Sequence, residues 1–165
     1  MRIKAYIDTN IYIYAIIHHP LYGGLCAEIL RDIEGKVYEA YGSTLVAVEL
    51  LGALSRINPR IARRAVEDYL SLDIGMLDIN EDVIRLSAII NEVTNTRYDS
   101  VHAALVLLNH VPVVITNDLD DWYKINKRIR EIVEEARKEG YDAIIDELQI
   151  VSPRTYYEWR ESIRK

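Results

Sequence analysis

The chain has 165 residues, half of them apolar, and a formal net charge of −6. This length suits about one domain with a sizeable core. No apolar run approaches the roughly 18 residues that a membrane span needs, the N-terminus lacks a signal-peptide pattern, and the lone Cys26 excludes an internal disulfide or a cysteine zinc cluster. We therefore expect a soluble cytoplasmic protein that forms one domain over residues 1–165 and has no membrane partner.

Predicted strands and helices alternate along the chain. Apolar runs indicate strands, and apolar residues at helical spacing indicate helices. In chain order, we predict strand 3–7, helices 10–17 and 26–33, strand 37–41, helices 45–54 and 61–72, strand 75–79, helices 82–93 and 99–109, strand 112–116, helix 126–138, strand 148–151 and helix 155–164. This alternation predicts an α/β fold in which a parallel twisted sheet of about five strands carries helices on both faces.

Two acidic residues follow predicted strands in matching positions. Asp8 comes directly after the apolar run Ala5–Ile7, and Asp118 follows Val113–Asn117. In open α/β sheets the ligand crevice lies beyond the carboxyl ends of the strands, so both side chains are expected at one crevice. Each residue is explained equally well as the N-cap of the next helix, for which Asp is favoured.

Glu49 is the only polar residue of the segment Leu45–Leu54. A helix this apolar is expected to be buried nearly all round, and a buried carboxylate is costly unless it is paired or bound to a metal. The alternative is a structural pair with a buried arginine or with a backbone group. Buried acids favour functional sites, so Glu49 is the strongest single indication of one.

Asp99 opens the helix predicted at 99–109. Its spacing from Thr96 also fits a capping box, although Asp fits that motif less well than Glu. Two acids at strand ends and two on helices can face one crevice, and an all-oxygen ligand set selects Mg²⁺ or Mn²⁺. Such ions activate water and neutralise charge on phosphate. The sequence therefore predicts metal-dependent hydrolysis of a nucleic-acid backbone. It contains no nucleophile elbow, P-loop or dinucleotide-binding glycine motif.

At these residues the chain resembles the PIN-domain nucleases, especially the VapC-type toxins. The resemblance covers about residues 3–122 and the final strand. The matching pieces are Tyr6-Ile7-Asp8-Thr9-Asn10, Val48-Glu49-Leu50, Tyr98-Asp99-Ser100-Val101-His102-Ala103-Ala104 and Ile115-Thr116-Asn117-Asp118-Leu119-Asp120. Each piece is short, but the four occur in the order and at the approximate spacing of that family.

The resemblance implies cleavage of RNA with Mg²⁺ or Mn²⁺, a homodimer, and an antitoxin protein as partner. It implies that the acidic ligands are Asp8, Glu49, Asp99 and Asp118. Polar groups that support the ligands are implied at Thr9, Asn10 and Thr116. Asp120 lies where the branch often has a further acid, and we prefer it to Asp121, which a helix cap explains.

The chain departs from this family at residues 123–147, which form a charged, helical insertion before the last strand. The insertion puts the toxin assignment in question, because it fits a partner surface, a dimer element or a lid as well as a solvated helix. Two other functions therefore stay open. One is a PIN nuclease of RNA processing without an antitoxin, and the other is a catalytically inactive module that binds RNA or protein.

A basic cluster follows the Glu49 helix. Its members are Arg56, Arg60, Arg63 and Arg64. These side chains are expected to contact RNA phosphates, although pairs with Glu67 and Asp68, four residues further on, explain the last two equally well. His102, one turn after Asp99, fits a substrate contact or an acid, and equally a packed, hydrogen-bonded histidine.

Overall fold

Five strands and nine helices alternate along the computed structural model, which describes residues 1–165. The strands are β1 (Lys4–Ile7), β2 (Glu39–Ser43), β3 (Gly75–Leu77), β4 (Val113–Ile115) and β5 (Gln149–Val151). The helices are α1 (Thr9–Ile16), α2 (Gly23–Glu34), α3 (Thr44–Ser55), α4 (Pro59–Leu70), α5 (Glu81–Thr94), α6 (Asp99–Leu108), α7 (Leu119–Lys127), α8 (Ile129–Lys138) and α9 (Tyr156–Ile163). The predicted α/β class is confirmed.

All five strands pair in parallel, in the order β3-β2-β1-β4-β5. The chain winds from β1 outward to β3, then crosses to β4 and continues to β5. Right-handed crossovers in opposite directions place their helices on opposite faces of the sheet. The packing agrees, because α1, α2, α3 and α4 contact one another on one face and α5, α6, α7 and α8 on the other. The direction of winding reverses between β1 and β4.

The two strands at this reversal are the most buried. Ala5, Tyr6 and Ile7 are fully buried, and Val114 and Ile115 on β4 are too. Strands covered on both faces read as continuous apolar runs, which is why both were evident in the sequence. The ends of β1 and β4 are in register, with Ile7 opposite Ile115, so the residues after them emerge side by side.

Local capping fixes where several helices begin. The Ser43 hydroxyl accepts the Val46 N–H and caps α3. Asn58 caps α4 in the same way, with Pro59 at the first helical position. No helix of the structure combines the length and the apolar character needed to cross a membrane.

Two expectations about helices are wrong. The Glu49 helix, α3, is not buried all round, because it packs on α4 and α1 and leaves Val48 and Leu51 63% and 51% exposed. The segment predicted as one helix at 126–138 is two helices, α7 and α8, which meet at Arg128. Helix α7 begins seven residues before the predicted start at 126, because its Trp122 and Ile125 are fully buried against the rest of the molecule.

Candidate metal centre at the carboxyl edge of the sheet

Asp8 and Asp118 lie together at the point where the sheet reverses its winding. The Asp8 backbone N–H donates to the Ile115 carbonyl at 3.0 Å, which extends the β1–β4 pairing by one residue. The Thr116 hydroxyl joins the two acids, since it donates to Asp8 Oδ2 at 2.7 Å and accepts the Asp118 N–H at 3.0 Å. The geometry is the crevice expected beyond the carboxyl ends of parallel strands.

The Asp8 carboxylate is surrounded by donors. Asp8 is only 3% exposed. Its Oδ2 accepts hydrogen bonds from the Thr116 hydroxyl, from Trp122 Nε1 at 3.1 Å and from Asn10 Nδ2 at 3.3 Å. Its Oδ1 accepts the Thr9 N–H at 2.8 Å, so Asp8 also caps α1. A simple N-cap does not need three further donors on the other oxygen. The protein therefore holds this buried carboxylate in one orientation.

Glu49 is held through one of its two oxygens. Oε1 accepts the Thr9 hydroxyl at 2.7 Å and lies 2.5 Å from His102 Nε2, whereas no protein group hydrogen-bonds Oε2. Burial alone would raise the pKa of Glu49, but the hydrogen bond and charge of His102, with help from Thr9, outweigh burial and lower it. The partner is thus a histidine, where the sequence left open a buried arginine or backbone group.

His102 lies beneath the two acids and is 1% exposed. Its Nδ1 is 2.6 Å from the Tyr6 hydroxyl, and its Nε2 is 3.8 Å from Asp8 Oδ1. Burial lowers the pKa of His102, but the charge of Asp8 and the hydrogen bond to Glu49 outweigh burial and raise it. Of the roles open in the sequence, the packed and hydrogen-bonded histidine is the one observed.

Three further acids lie in the crevice beside Asp8 and Glu49 and have few hydrogen-bond donors from the protein. We call these three residues, Asp99, Asp118 and Asp121, the acid cluster. One carboxylate oxygen from each lies within 4.8 Å of the others. Burial, followed by the nearby Asp118, Asp8 and Asp121, raises the pKa of Asp99 to about 10. The one cation at the cluster is Lys124, whose Nζ lies 3.5 Å from Asp121 Oδ1. Such a set of hard oxygen donors fits Mg²⁺ or Mn²⁺.

Helix capping, the alternative explanation from the sequence, does not account for Asp99 or Asp118. The Asp118 side chain makes no capping hydrogen bond to α7. The Thr96 hydroxyl bonds to Thr94 and Ser100 and does not form a capping box with Asp99. Their proximity to each other is therefore a feature of the crevice and not a consequence of helix capping.

The other predicted residues divide into those at the crevice and those away from it. Thr9, Asn10 and Thr116 all hydrogen-bond to the predicted acids. Asp120 is exposed and outside the acid cluster, whose third member is Asp121. Because residues three apart share a helix face, Asp121 lies on the same side of α7 as Asp118, whereas Asp120 does not.

The four predicted arginines are exposed at the end of α3 and on α4. Arg63 pairs with Glu67 at 3.2 Å and Arg64 lies 3.9 Å from Asp68, as helix spacing predicted. Arg56 and Arg60 form no salt bridge in the structure. These two remain available for an anionic ligand.

Sequence reasoning missed Trp122 and Tyr6. Trp122 donates to Asp8 across 114 residues of sequence, and Tyr6 reaches His102 across 96. Tyr6 carried a weak signal, since it lies within the apolar run Ala5–Ile7 and a buried hydroxyl there needs a partner. Trp122 could have been found from its position in the first turn after Asp118, had a helix been predicted there.

A parallel α/β sheet with paired carboxylates at its switch point is typical of metal-dependent enzymes acting on phosphate esters. The PIN domain family model matches residues 5–128, which is most of the chain and contains every acid described above. The chain belongs to the PIN domain family. No curated protein matches the sequence.

Solved structures agree with this fold. VapBC2 from Rickettsia felis, bound to a promoter DNA fragment, aligns with a TM-score of 0.60 and 14% identity over 91% of this chain and 98% of that chain. DNA-bound VapBC from Salmonella typhimurium aligns with a TM-score of 0.57 and 19% identity over 92% and 98%. VapBC-1 from nontypeable Haemophilus influenzae gives a TM-score of 0.55 and 21% identity over 76% and 94%. At these identities the likeness establishes the fold.

Proposed function

We propose that the protein is a metal-dependent endoribonuclease that hydrolyses the phosphodiester bonds of RNA with Mg²⁺ or Mn²⁺. The observation that carries the proposal is the acid cluster, in which three carboxylates converge within 4.8 Å. In the absence of a cation this arrangement is repulsive, as the raised pKa of Asp99 reflects. A site built this way gains stability when a divalent cation binds.

The ligands we propose are Asp99, Asp118 and Asp121, with Glu49 through its free Oε2 and Asp8 through Oδ1. Asp120 stays an outer candidate, because it is exposed next to the cluster. A bound divalent cation supplies an acidified water as nucleophile and neutralises charge that grows on the phosphate. Thr9, Asn10, Thr116 and Trp122 keep Asp8 and Glu49 oriented during that step.

Cleavage of a mixed RNA pool tests the proposal. We expect cleavage with Mg²⁺ or Mn²⁺, none with EDTA, and none for Asp8→Asn or Asp118→Asn. Asp73→Asn is a matched control, because Asp73 is an exposed acid that pairs with Lys36 away from the crevice. A folded wild-type protein that leaves all RNA intact with both metals would favour the alternative of an inactive binding module.

We propose that Arg56 and Arg60 contact the RNA backbone. They lack acidic partners, whereas Arg63 and Arg64 have them. Each phosphate contact steepens the salt dependence of binding, so Arg56→Ala with Arg60→Ala should reduce the salt slope by about 2. Arg63→Ala is the matched control. Equal slopes for the wild type and the double variant would remove these two residues from the RNA interface.

We propose further that the nuclease is the toxin of a toxin–antitoxin pair. The VapBC neighbours are complexes of this kind, and the chain offers a cavity of about 470 Å³ between α1, α2 and α4. The lining is largely apolar and includes Tyr12, whose buried hydroxyl has no hydrogen-bond partner. An apolar antitoxin helix would fill this groove. A small adjacent reading frame whose product inhibits cleavage supports the toxin, and its absence favours an RNA-processing enzyme.

We propose a cytoplasmic homodimer in which the exposed face of α3 contributes to the interface. Val48 and Leu51 form its apolar part. Light scattering should give twice the chain mass for the wild type and a smaller mass for Leu51→Lys.

We also propose that residues 1–165 form one domain, with residues 123–147 as an insertion. Its helix α8 packs on α5 with Ile129 and Ile132 buried, which favours a covering element over a lid.

A further inference from the structure

A chain of buried hydrogen bonds leads from Glu49 into the core of the protein. Glu49 Oε1 lies 2.5 Å from His102 Nε2, and His102 Nδ1 lies 2.6 Å from the Tyr6 hydroxyl. The Tyr6 hydroxyl lies 2.7 Å from the Ser43 hydroxyl. His102, Tyr6 and Ser43 are 1%, 0% and 0% exposed. Water therefore does not compete for any of these three side chains.

The directions of these hydrogen bonds follow from the chemistry of their ends. A carboxylate only accepts, so His102 Nε2 carries a hydrogen and donates it to Glu49. With a neutral ring, Nδ1 accepts from Tyr6, and Ser43 donates to Tyr6 in turn; with a charged ring, Nδ1 donates to Tyr6. In both forms His102 Nε2 donates to Glu49, and Ser43 Oγ accepts the Val46 N–H. The hydrogen bond that fixes Glu49 is therefore the same for either charge of the ring.

The far end of the chain is fixed to backbone. The Tyr69 hydroxyl accepts the Ser43 N–H at 2.8 Å and donates to the Ser43 carbonyl at 3.0 Å. Ser43 also caps α3, the helix that carries Glu49. The same residue therefore sets the start of the helix and, through Tyr6 and His102, the orientation of the carboxylate on it.

The result at Glu49 is an asymmetric carboxylate. Oε1 is occupied by two donors, His102 and Thr9, and Oε2 has none. Rotation of the carboxylate about its last bond would break both hydrogen bonds at once. A group held in this way presents one oxygen outward with little orientational freedom to lose when a cation binds.

We propose that His102, fixed by Tyr6, is a positioning residue that turns Glu49 Oε2 toward the metal. The proposal rests on the proposed function, in that Glu49 is taken as a ligand of the divalent cation. It assigns His102 no contact with RNA or with the metal. Its effect is therefore expected in metal affinity and in kcat, and not in KM for RNA.

Two substitutions of His102 separate positioning from packing. In His102→Gln the side-chain amide reaches the place of Nε2 and can donate to Glu49, whereas in His102→Asn it reaches only Tyr6. We expect His102→Asn to weaken Mn²⁺ binding about 10- to 100-fold and His102→Gln to keep most of the affinity. Mn²⁺ affinity is measured by calorimetry or electron paramagnetic resonance, without RNA.

A double-mutant cycle shows whether His102 acts through Glu49. With Glu49→Ala already present, adding His102→Asn should cause no further loss of Mn²⁺ affinity. A further loss, or a wild-type affinity for folded His102→Asn, would overturn the proposal. If His102→Asn does not fold, Tyr6→Phe decides, since it removes only the hydroxyl that fixes the ring. Folded Tyr6→Phe should bind Mn²⁺ more weakly, and an unchanged affinity overturns the proposal.

The same measurements keep the two proposals distinguishable. A wild-type protein that binds Mn²⁺ and shows the His102 effects, yet cleaves no RNA, contradicts the nuclease and leaves the positioning role in place. A wild-type protein that cleaves RNA while His102→Asn binds Mn²⁺ normally contradicts only the positioning role. A wild-type protein that binds no Mn²⁺ overturns the positioning role, because there is then no cation toward which Glu49 could be turned.

Discussion

The two halves of the acidic crevice handle negative charge in opposite ways. Asp8 accepts hydrogen bonds from four donors and Glu49 from two, and His102 with Thr9 lowers the pKa of Glu49. In the acid cluster the carboxylates mainly face one another, and burial with this repulsion raises the pKa of Asp99 to about 10. In one half the negative charge is compensated by donors of the chain itself, and in the other half it is not.

This difference indicates which part of the crevice favours cation binding. A buried carboxylate needs compensation, and the protein supplies it for Asp8 with four donors. If the acid cluster were equally well supplied, it would gain little from a cation. The lack of donors at Asp99 and Asp118 is therefore the property that favours metal binding, and the well-held half provides its rigid border.

Asp99→Asn should have the largest effect, with opposite signs in two measurements. Without metal at neutral pH, the variant should unfold at a higher temperature than the wild type, because the folded protein no longer has to keep a carboxyl group protonated far above its ordinary pKa. With Mn²⁺, cleavage should fall by more than about 100-fold, beyond the 10- to 100-fold typical of residues that only support a ligand. Thermal unfolding in EDTA and in MnCl₂ checks the first sign. A variant less stable than the wild type in EDTA would mean that the cluster is not repulsive.

Asp121→Asn and Asp120→Asn test the membership of the cluster. Asp121 lies with Asp99 and Asp118, and Asp120 is exposed beside them. We expect Asp121→Asn to weaken Mn²⁺ binding about 10-fold and Asp120→Asn to have little effect. Calorimetric titration of the two variants in parallel provides the comparison. The reverse order would restore Asp120 as the ligand that the sequence suggested.

Thr116→Val tests the hydroxyl that joins the two halves. It removes one donor from Asp8 and the acceptor of the Asp118 N–H. The expected loss is about 1 kcal/mol in the free energy of unfolding, at the low end for a buried group left without a partner, because Asp8 keeps other donors. Urea denaturation measures the loss, and Thr116→Ser, which keeps the hydroxyl, is the control. A wild-type stability for folded Thr116→Val would contradict the contribution of the hydroxyl, whereas a loss in Thr116→Ser would measure the methyl group alone.

The pH dependence of stability in EDTA should differ in sign between the halves. Since folding raises the pKa of Asp99 from 3.8 to about 10, its contribution is present at low pH and is lost as the pH rises between those values. Glu49 has a lowered pKa, so its contribution is present above its ordinary value of 4.5 and is lost as the pH falls. This is the smallest effect, because the exposed Asp118 can move away from Asp99.

Urea denaturation across this pH range compares the wild type with one variant from each half. Asp99→Asn should remove the loss of stability at high pH, and Glu49→Gln should remove the loss at low pH. The same pH profile for both variants would contradict the division into two halves.

Much of the fold was predictable because its signals are local. The central strands are continuous apolar runs, and helical spacing of apolar residues indicated most of the helices. Asp8 and Asp118 were predictable as partners because parallel strands end at a common edge. Glu49 was conspicuous because a lone acid in an apolar helix needs compensation. These are properties of residue type and spacing, which a sequence contains.

Only the tertiary structure decided how the acids are compensated. Two donors to Asp8, Thr116 and Trp122, lie 108 and 114 positions away in the chain, and Trp122 belongs to α7, whose start was not predicted. The donors to Glu49, Thr9 and His102, lie 40 and 53 positions away. The choice between Asp120 and Asp121 depends on the phase of α7, which the burial of Trp122 and Ile125 sets. The sequence by itself indicated that Asp8 and Asp118 meet at the sheet edge, because both follow parallel strands. Packing determined which of them receive donors and which are left facing each other, because hydrogen bonds and repulsion depend on distances of a few ångströms that spacing along a chain does not specify.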